Sequence, residues 1–177
     1  MLGMRDDTPL NLINLIRFGT VLSVDADSAR AVVRVGDLPT KPLPWLSARA
    51  GASRTWSPPT VGEQVLVLSP NGNLSAGVVL TGIYSSHYPR PDQATADNVL
   101  ISFSDGATLL YDQAAHQLKA ALPAGGTVDI TAPAGVTVHG SLTVSENVVA
   151  GTGASGSFTT PTGLTVMVQD GIVVNIF

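Results

Sequence analysis

From Gly19 onward, apolar residues fall mainly at alternate positions, the period of a strand with one covered face rather than that of a helix. Gly19-Thr20-Val21-Leu22-Ser23-Val24 runs into Asp25-Ala26-Asp27-Ser28, and Arg30-Ala31-Val32-Val33-Arg34-Val35 follows before Gly36-Asp37. Asp and Ser side chains satisfy backbone donors in tight turns, so this segment predicts a hairpin. Residues 63–68 and 77–84 predict a second one around Pro70-Asn71-Gly72-Asn73. About five short strands in roughly 70 residues fit a small closed barrel of OB type. Between the hairpins, residues 46–60 are rich in Ala, Ser, Arg and Pro and read as a long loop. A loop of that length in a small barrel is usually functional or an interface element. Upstream, residues 5–17 fit a short helix: Leu12, Ile13 and Ile16 share a face, Thr8 is placed to N-cap, and Pro9 takes the first helical position.

After Pro91 the alternation becomes repetitive. Val99, Ile101 and Phe103 form one set, Ala107, Leu109 and Tyr111 the next, then Leu118, Ala120 and Leu122. Val128, Ile130 and Ala132 follow, then Val136, Val138, Leu142 and Val144 around Gly140. Turn signals such as Ser104-Asp105-Gly106 and Ala132-Pro133-Ala134-Gly135 separate them. Only one face of each predicted strand is apolar, and few side chains are large. A lone chain of this kind buries too little surface to offset an ordering entropy of about 1–2 kcal/mol per residue, and it exposes long sheet edges. Three copies around one axis solve both problems. Val128, Ile130, Val136, Val138, Leu142 and Val144 would then line that axis. The pattern also admits a monomeric β-sandwich.

Composition sharpens this. Charged residues are 12%, aromatics 5%, hydrophobics 44%, with 18 glycines. A helical protein would need more Lys, Glu and Leu. There is no cysteine, so disulfides and Cys-based zinc sites are excluded. A net charge of −4 does not point to nucleic acid or an acidic membrane surface. The charge is uneven: residues 1–90 carry eight of the nine Lys and Arg against six acids, whereas residues 91–177 carry Lys119 against seven. A change of character at Pro89-Arg90-Pro91 marks a domain boundary. The expected layout is a helical segment at 1–17, a barrel at 18–90, and a β-helical part at 91–177 closing in a hairpin at 164–177. No stretch reads as a membrane span or an export signal, so folding in the cytoplasm is expected, with any extracellular role requiring another route out, such as lysis.

Catalytic chemistry finds little support. Ser85-Ser86-His87 sets a hydroxyl beside an imidazole, but sequence neighbours rarely form a triad and no positioned acid is evident. Asp25 and Asp27 sit in a turn that uses carboxylates structurally. Gly151-Thr152-Gly153-Ala154-Ser155-Gly156 lacks the strand–helix context and Lys of a phosphate loop and reads as a flexible stretch. Binding of single-stranded nucleic acid, common among OB folds, needs a basic groove with stacking aromatics, and these are missing. No catalytic residue, cofactor or metal is expected, and no nucleic-acid partner. An adhesive trimeric β-helical fibre and an OB-fold binding module remain the alternatives.

The barrel segment carries distinctive phrases: Pro44-Trp45-Leu46, Arg49-Ala50-Gly51, Arg54-Thr55-Trp56-Ser57-Pro58-Pro59, Val61-Gly62-Glu63-Gln64-Val65 and Leu68-Ser69-Pro70-Asn71-Gly72. With Phe103-Ser104-Asp105-Gly106-Ala107 and Leu122-Pro123-Ala124-Gly125-Gly126 downstream, the chain resembles the baseplate assembly protein V family. These are the central spikes of contractile phage tails and R-type pyocins. The resemblance implies an all-β homotrimer, with an N-terminal OB-fold barrel as collar followed by a triple-stranded β-helix, or β-prism, that pierces the host outer membrane. Implied partners are the tail hub and tube and other baseplate proteins; Arg49, Arg54 and Trp56 would contact neighbouring subunits or the hub. The reading in which Trp45 and Trp56 merely pack the barrel stands beside this one. Many family members end in His-x-His and hold an iron ion at the apex. Here His87, His116 and His139 are unpaired, so a metal tip is not expected. Instead, Asp170-Gly171 predicts a closing hairpin. Ile172, Val174 and Ile176 would face the axis and Phe177 would sit near the end. That hairpin would cap the needle or dock a separate tip protein.

Overall fold

The computed structural model describes residues 12–149, 151 and 153–177. Of the expected N-terminal helix, residues 5–11 lie outside the described residues. Leu12 and Ile13 are helical, and the chain turns into a strand already at Ile16. The named strands are β1 (Ile16–Asp25), β2 (Arg30–Val35), β3 (Leu38–Pro39), β4 (Gln64–Leu68), β5 (Val78–Ile83), β6 (Asn98–Ser102), β7 (Thr108–Asp112), β8 (Gln117–Ala121), β9 (Gly156–Thr159), β10 (Thr165–Gln169) and β11 (Ile172–Ile176). The protein is all-β, as expected, and divides into two compact units, residues up to 126 and residues 127–177.

Five strands in the order β3-β2-β1-β4-β5 form the barrel sheet. The β1–β2 turn is held by Asp25, whose carboxylate accepts from the Asp27 and Ser28 amides and from the Ser28 hydroxyl at 2.5 Å. The Ser28 hydroxyl and then its amide hold this carboxyl below its ordinary range, with desolvation opposing them and the Asp27 amide adding to them. β1 bends at a bulge between Val21 and Ser23, the usual device for curving a sheet. Closure comes from residues 43–46. Leu43 exchanges both backbone hydrogen bonds with Ala31 at 2.8 Å; Val79 donates to Pro44 and accepts from Leu46, again at 2.8 Å. This short segment therefore stands between β2 and β5 and bridges them at Ala31 and Val79. Val21, Ala31, Val33, Val35, Leu43, Val65, Val67 and Val79 fill the interior.

At Gly19, β1 passes close against β2. A Cβ there would overlap Val33 Cγ1 and lie 2.9 Å from the Arg34 carbonyl oxygen. Gly19→Ala is expected to destabilise the barrel by about 1–3 kcal/mol, as overpacking does. An unchanged thermal midpoint would show that the strands move apart freely.

In the first unit, β6, β7 and β8 make a separate antiparallel meander. The register aligns Val99 with Tyr111 and Tyr111 with Leu118, and Ile101 with Leu109 and Leu109 with Ala120. Directly opposed residues share a face. The alternating sets read from the sequence thus become one apolar face, and it is open: Leu118 is 77% exposed.

Three features mark the second unit. Strands expected around Val128–Ala132 and Val136–Val144 are not paired within the chain. Among the described residues 127–149, the one backbone hydrogen bond runs from the Gly135 amide to the Ala132 carbonyl. Next, the stretch read as flexible leads directly into β9, which pairs with β10 from Gly156–Val168 to Thr159–Thr165. Finally, β10 and β11 do form the expected hairpin around Asp170 (φ 51°) and Gly171 (φ 82°), but a bulge interrupts it. Ile176 pairs with Val166 and Ile172 with Gln169, so Ile172 and Ile176 lie on opposite faces rather than one.

Candidate functional site

The loop at residues 46–57 is ordered by its own polar groups. The Ser47 hydroxyl donates to the Thr55 carbonyl at 2.8 Å, the Thr55 amide donates to the Arg49 carbonyl at 3.0 Å, and the Arg49 amide donates to Thr55 Oγ1 at 3.1 Å. Ala50 and Arg54 face each other across a bridge inside it. The result is a small folded arm, tied to the barrel at Leu46 and closed on itself through Ser47, Arg49 and Thr55.

This arm brings Arg49, Arg54 and Trp56 to one cavity of about 330 Å³, which Arg30 and Trp45 also line. The two tryptophans have different jobs. Trp45 packs against the barrel core, fixed by its bridge to Val79. Trp56 leans on Trp45, with ring centroids 5.5 Å apart and planes tilted by 53°, and is 59% exposed. Of the two readings the sequence left open, packing describes Trp45 and exposure describes Trp56. The contribution of Arg30 was not legible, because it lies on β2, more than ten residues before the loop.

A second cavity, of about 480 Å³, is lined by Ser85, Ser86, His87, Gly62, Thr20 and Arg34 among others, with no carboxylate in its wall. Ser85 is engaged in a turn, its hydroxyl accepting from the Tyr88 amide at 3.1 Å. The His87 ring packs edge-on against Tyr88 at 4.6 Å. Nothing orients the imidazole toward a hydroxyl, and the arrangement lacks the acid a triad requires. His116 occupies the β7–β8 turn with φ 53°, and His139 is exposed in the unpaired stretch. Among the described residues no group of His, Asp and Glu is gathered for a metal.

The residues assigned to an axis are all exposed in the single chain, Val128 and Leu142 at 71% each, with Ile130, Val136, Val138 and Val144 beside them in the same stretch. Of the residues assigned to a tip, Ile176 and Phe177 lie at one end of the β9–β10–β11 sheet, whereas Ile172 pairs with Gln169 beside the Asp170-Gly171 turn at the other. Phe177 exchanges backbone hydrogen bonds with Thr165 at 2.7 and 3.1 Å. The adjoining turn at Thr160-Pro161-Thr162-Gly163 is closed by the Thr160 hydroxyl accepting from the Leu164 amide at 3.1 Å. The Asp170-Gly171 turn folds back to the opposite end, where the Gly171 amide donates to the Ala154 carbonyl. Ile176 and Phe177 therefore share the end farther from the point of entry at Ala154, together with a Thr-rich turn that sequence reasoning missed. Its signal was Ser157-Phe158-Thr159-Thr160 followed by Pro161-Thr162-Gly163.

Residues 17–84 match the family model of the type VI secretion system/phage-baseplate injector OB domain. Over 138 residues the chain is 41% identical to the spike protein of Escherichia phage P2, an alignment covering 78% of this chain and 61% of that protein. The chain thus matches less than two thirds of the length of this relative.

Proposed function

We propose, from the match of residues 17–84 to the phage-baseplate injector OB-domain family and the similarity to a phage spike, that the chain is the trimeric, membrane-piercing central spike of a contractile phage tail or pyocin-like particle. The barrel serves as collar on the tail hub and tube, and residues 91–177 form the shaft. The observation that carries this reading is the stretch 127–149. Its apolar residues are open to water, and among the described residues its backbone groups find almost no partner. Ordering such a stretch costs about 1–2 kcal/mol per residue, and unpaired strands do not persist alone. Other copies of the same chain supply both the missing hydrogen bonds and the cover. The open face of β6, β7 and β8 supports the same arrangement, since an apolar patch of this kind marks an interface.

The role is mechanical. Strands interlocked around an axis must shear together, so thrust from sheath contraction reaches the outer membrane without local unfolding. The three-stranded sheet at 156–177 closes the shaft and forms its leading end, or seats a separate tip protein. The particle is released by lysis. Native mass spectrometry of the purified protein tests the central claim: the expected species has three times the 18.2 kDa chain mass. A monomer at micromolar concentration would overturn the reading.

A further inference from the structure

The cavity around Trp56 has an uncommon wall: three arginines, two tryptophans and no carboxylate. Arg30 is partly engaged, its guanidinium donating to the carbonyls of Ser28 at 3.3 Å and Ala29 at 3.0 Å. Arg49 enters the hydrogen bonds of the arm through its backbone, and Arg54 through its backbone bridge to Ala50. The arm thus fixes where both guanidinium groups start and leaves them nothing acidic in the wall to neutralise them. Trp56 adds a large, rigid apolar surface, supported from behind by Trp45. Exposed Trp beside Arg is the composition of an interface hot spot, and a guanidinium recognises a planar carboxylate with two parallel hydrogen bonds.

We infer that this cavity receives an acidic polypeptide segment of a partner protein in the tail, with carboxylates on Arg49 and Arg54 and an aliphatic or aromatic side chain against Trp56. This rests on the reading of the barrel as the attachment face and adds to it the chemistry of the partner. A nucleic-acid strand fits less well, because it needs a continuous basic groove and successive stacking rings. Here one exposed indole stands in a barrel region whose charges nearly balance.

The test uses the full chain in two measurements. In the first, tails assembled with wild-type chain, with Arg49→Glu/Arg54→Glu or with the Lys/Lys pair are purified, and their spike content is quantified. In the second, the free proteins are titrated with a synthetic peptide of alternating Glu and Leu around one Phe, and with its Gln counterpart, by tryptophan fluorescence. Charge reversal is expected to leave the native mass unchanged and to lower spike content about tenfold, with the Lys pair in between, since truncating a charge pair at an interface costs this much or more. The Glu peptide is expected to bind saturably and the Gln peptide at least about tenfold more weakly. Should the reversed variant enter tails as well as wild type does, the inference falls while attachment through the barrel stands. Absence of the wild-type chain from tails would remove the attachment reading. The peptide titration would then decide the chemistry alone: saturable binding lost on charge reversal upholds it, and no binding overturns it. Tighter binding of a single-stranded oligonucleotide than of the Glu peptide would also overturn it.

Discussion

Val138→Asp is expected to abolish the trimer at neutral pH. In a threefold assembly each substitution acts three times, at one level of the shaft, and puts three carboxylates close together. Removing each from water costs several kcal/mol, and their mutual repulsion raises the pKa of whichever ionises last. Each replaced valine also forfeits about 1.5–3 kcal/mol of apolar burial. Net stabilities of folded proteins lie at about 5–15 kcal/mol, so no reserve covers this loss. Because the destabilised form is the ionised one, some assembly should return on acidification, as the carboxyls protonate. His139→Asp, with the opposite parity, serves as the control and should assemble normally. Native mass and thermal unfolding of the two variants decide the matter. Trimers of Val138→Asp with unchanged stability would show that the even positions do not face an axis.

Deleting residues 164–177 is expected to leave a trimer with an intact barrel but to reduce killing or infection by assembled particles by at least about tenfold. In the small sheet, β10 lies between β9 and β11, so the deletion leaves β9 with no partner strand. It also removes Val166, the buried apolar residue among the described positions of this unit. The remaining end would expose unpaired strand edges, whereas the barrel, with its own core, does not depend on residues 164–177. Val166→Asp offers a full-length version of the same test, since it unfolds the sheet without shortening the chain. A truncated spike with full activity would assign the point to another protein and leave residues 164–177 as its socket.

The parts legible in the sequence were those governed by neighbours. Period-two alternation located β1, β2, β4 to β8, β10 and β11, because a strand half covered by a core needs it whatever it pairs with. Turn chemistry placed Asp25-Ala26-Asp27-Ser28 and Asp170-Gly171 correctly, since those side chains and backbone preferences act within four residues. That Arg49, Arg54 and Trp56 lie close together was legible because they share one loop.

What depends on distant partners stayed hidden until the chain was folded. Closure of the barrel by residues 43–46 follows from hydrogen bonds to Ala31 and Val79, and nothing around Leu43 announces them. The different fates of Trp45 and Trp56, and the entry of Arg30 into their cavity, follow from that closure. The bulge that puts Ile172 and Ile176 on opposite faces is a property of pairing register, which two strands settle together. In residues 127–149 the sequence alone determined alternation, and folding one chain satisfied almost none of it. A strand is specified by its own residues, but its stability lies in hydrogen bonds and contacts to whatever stands alongside, and among the described residues of this chain almost nothing stands there.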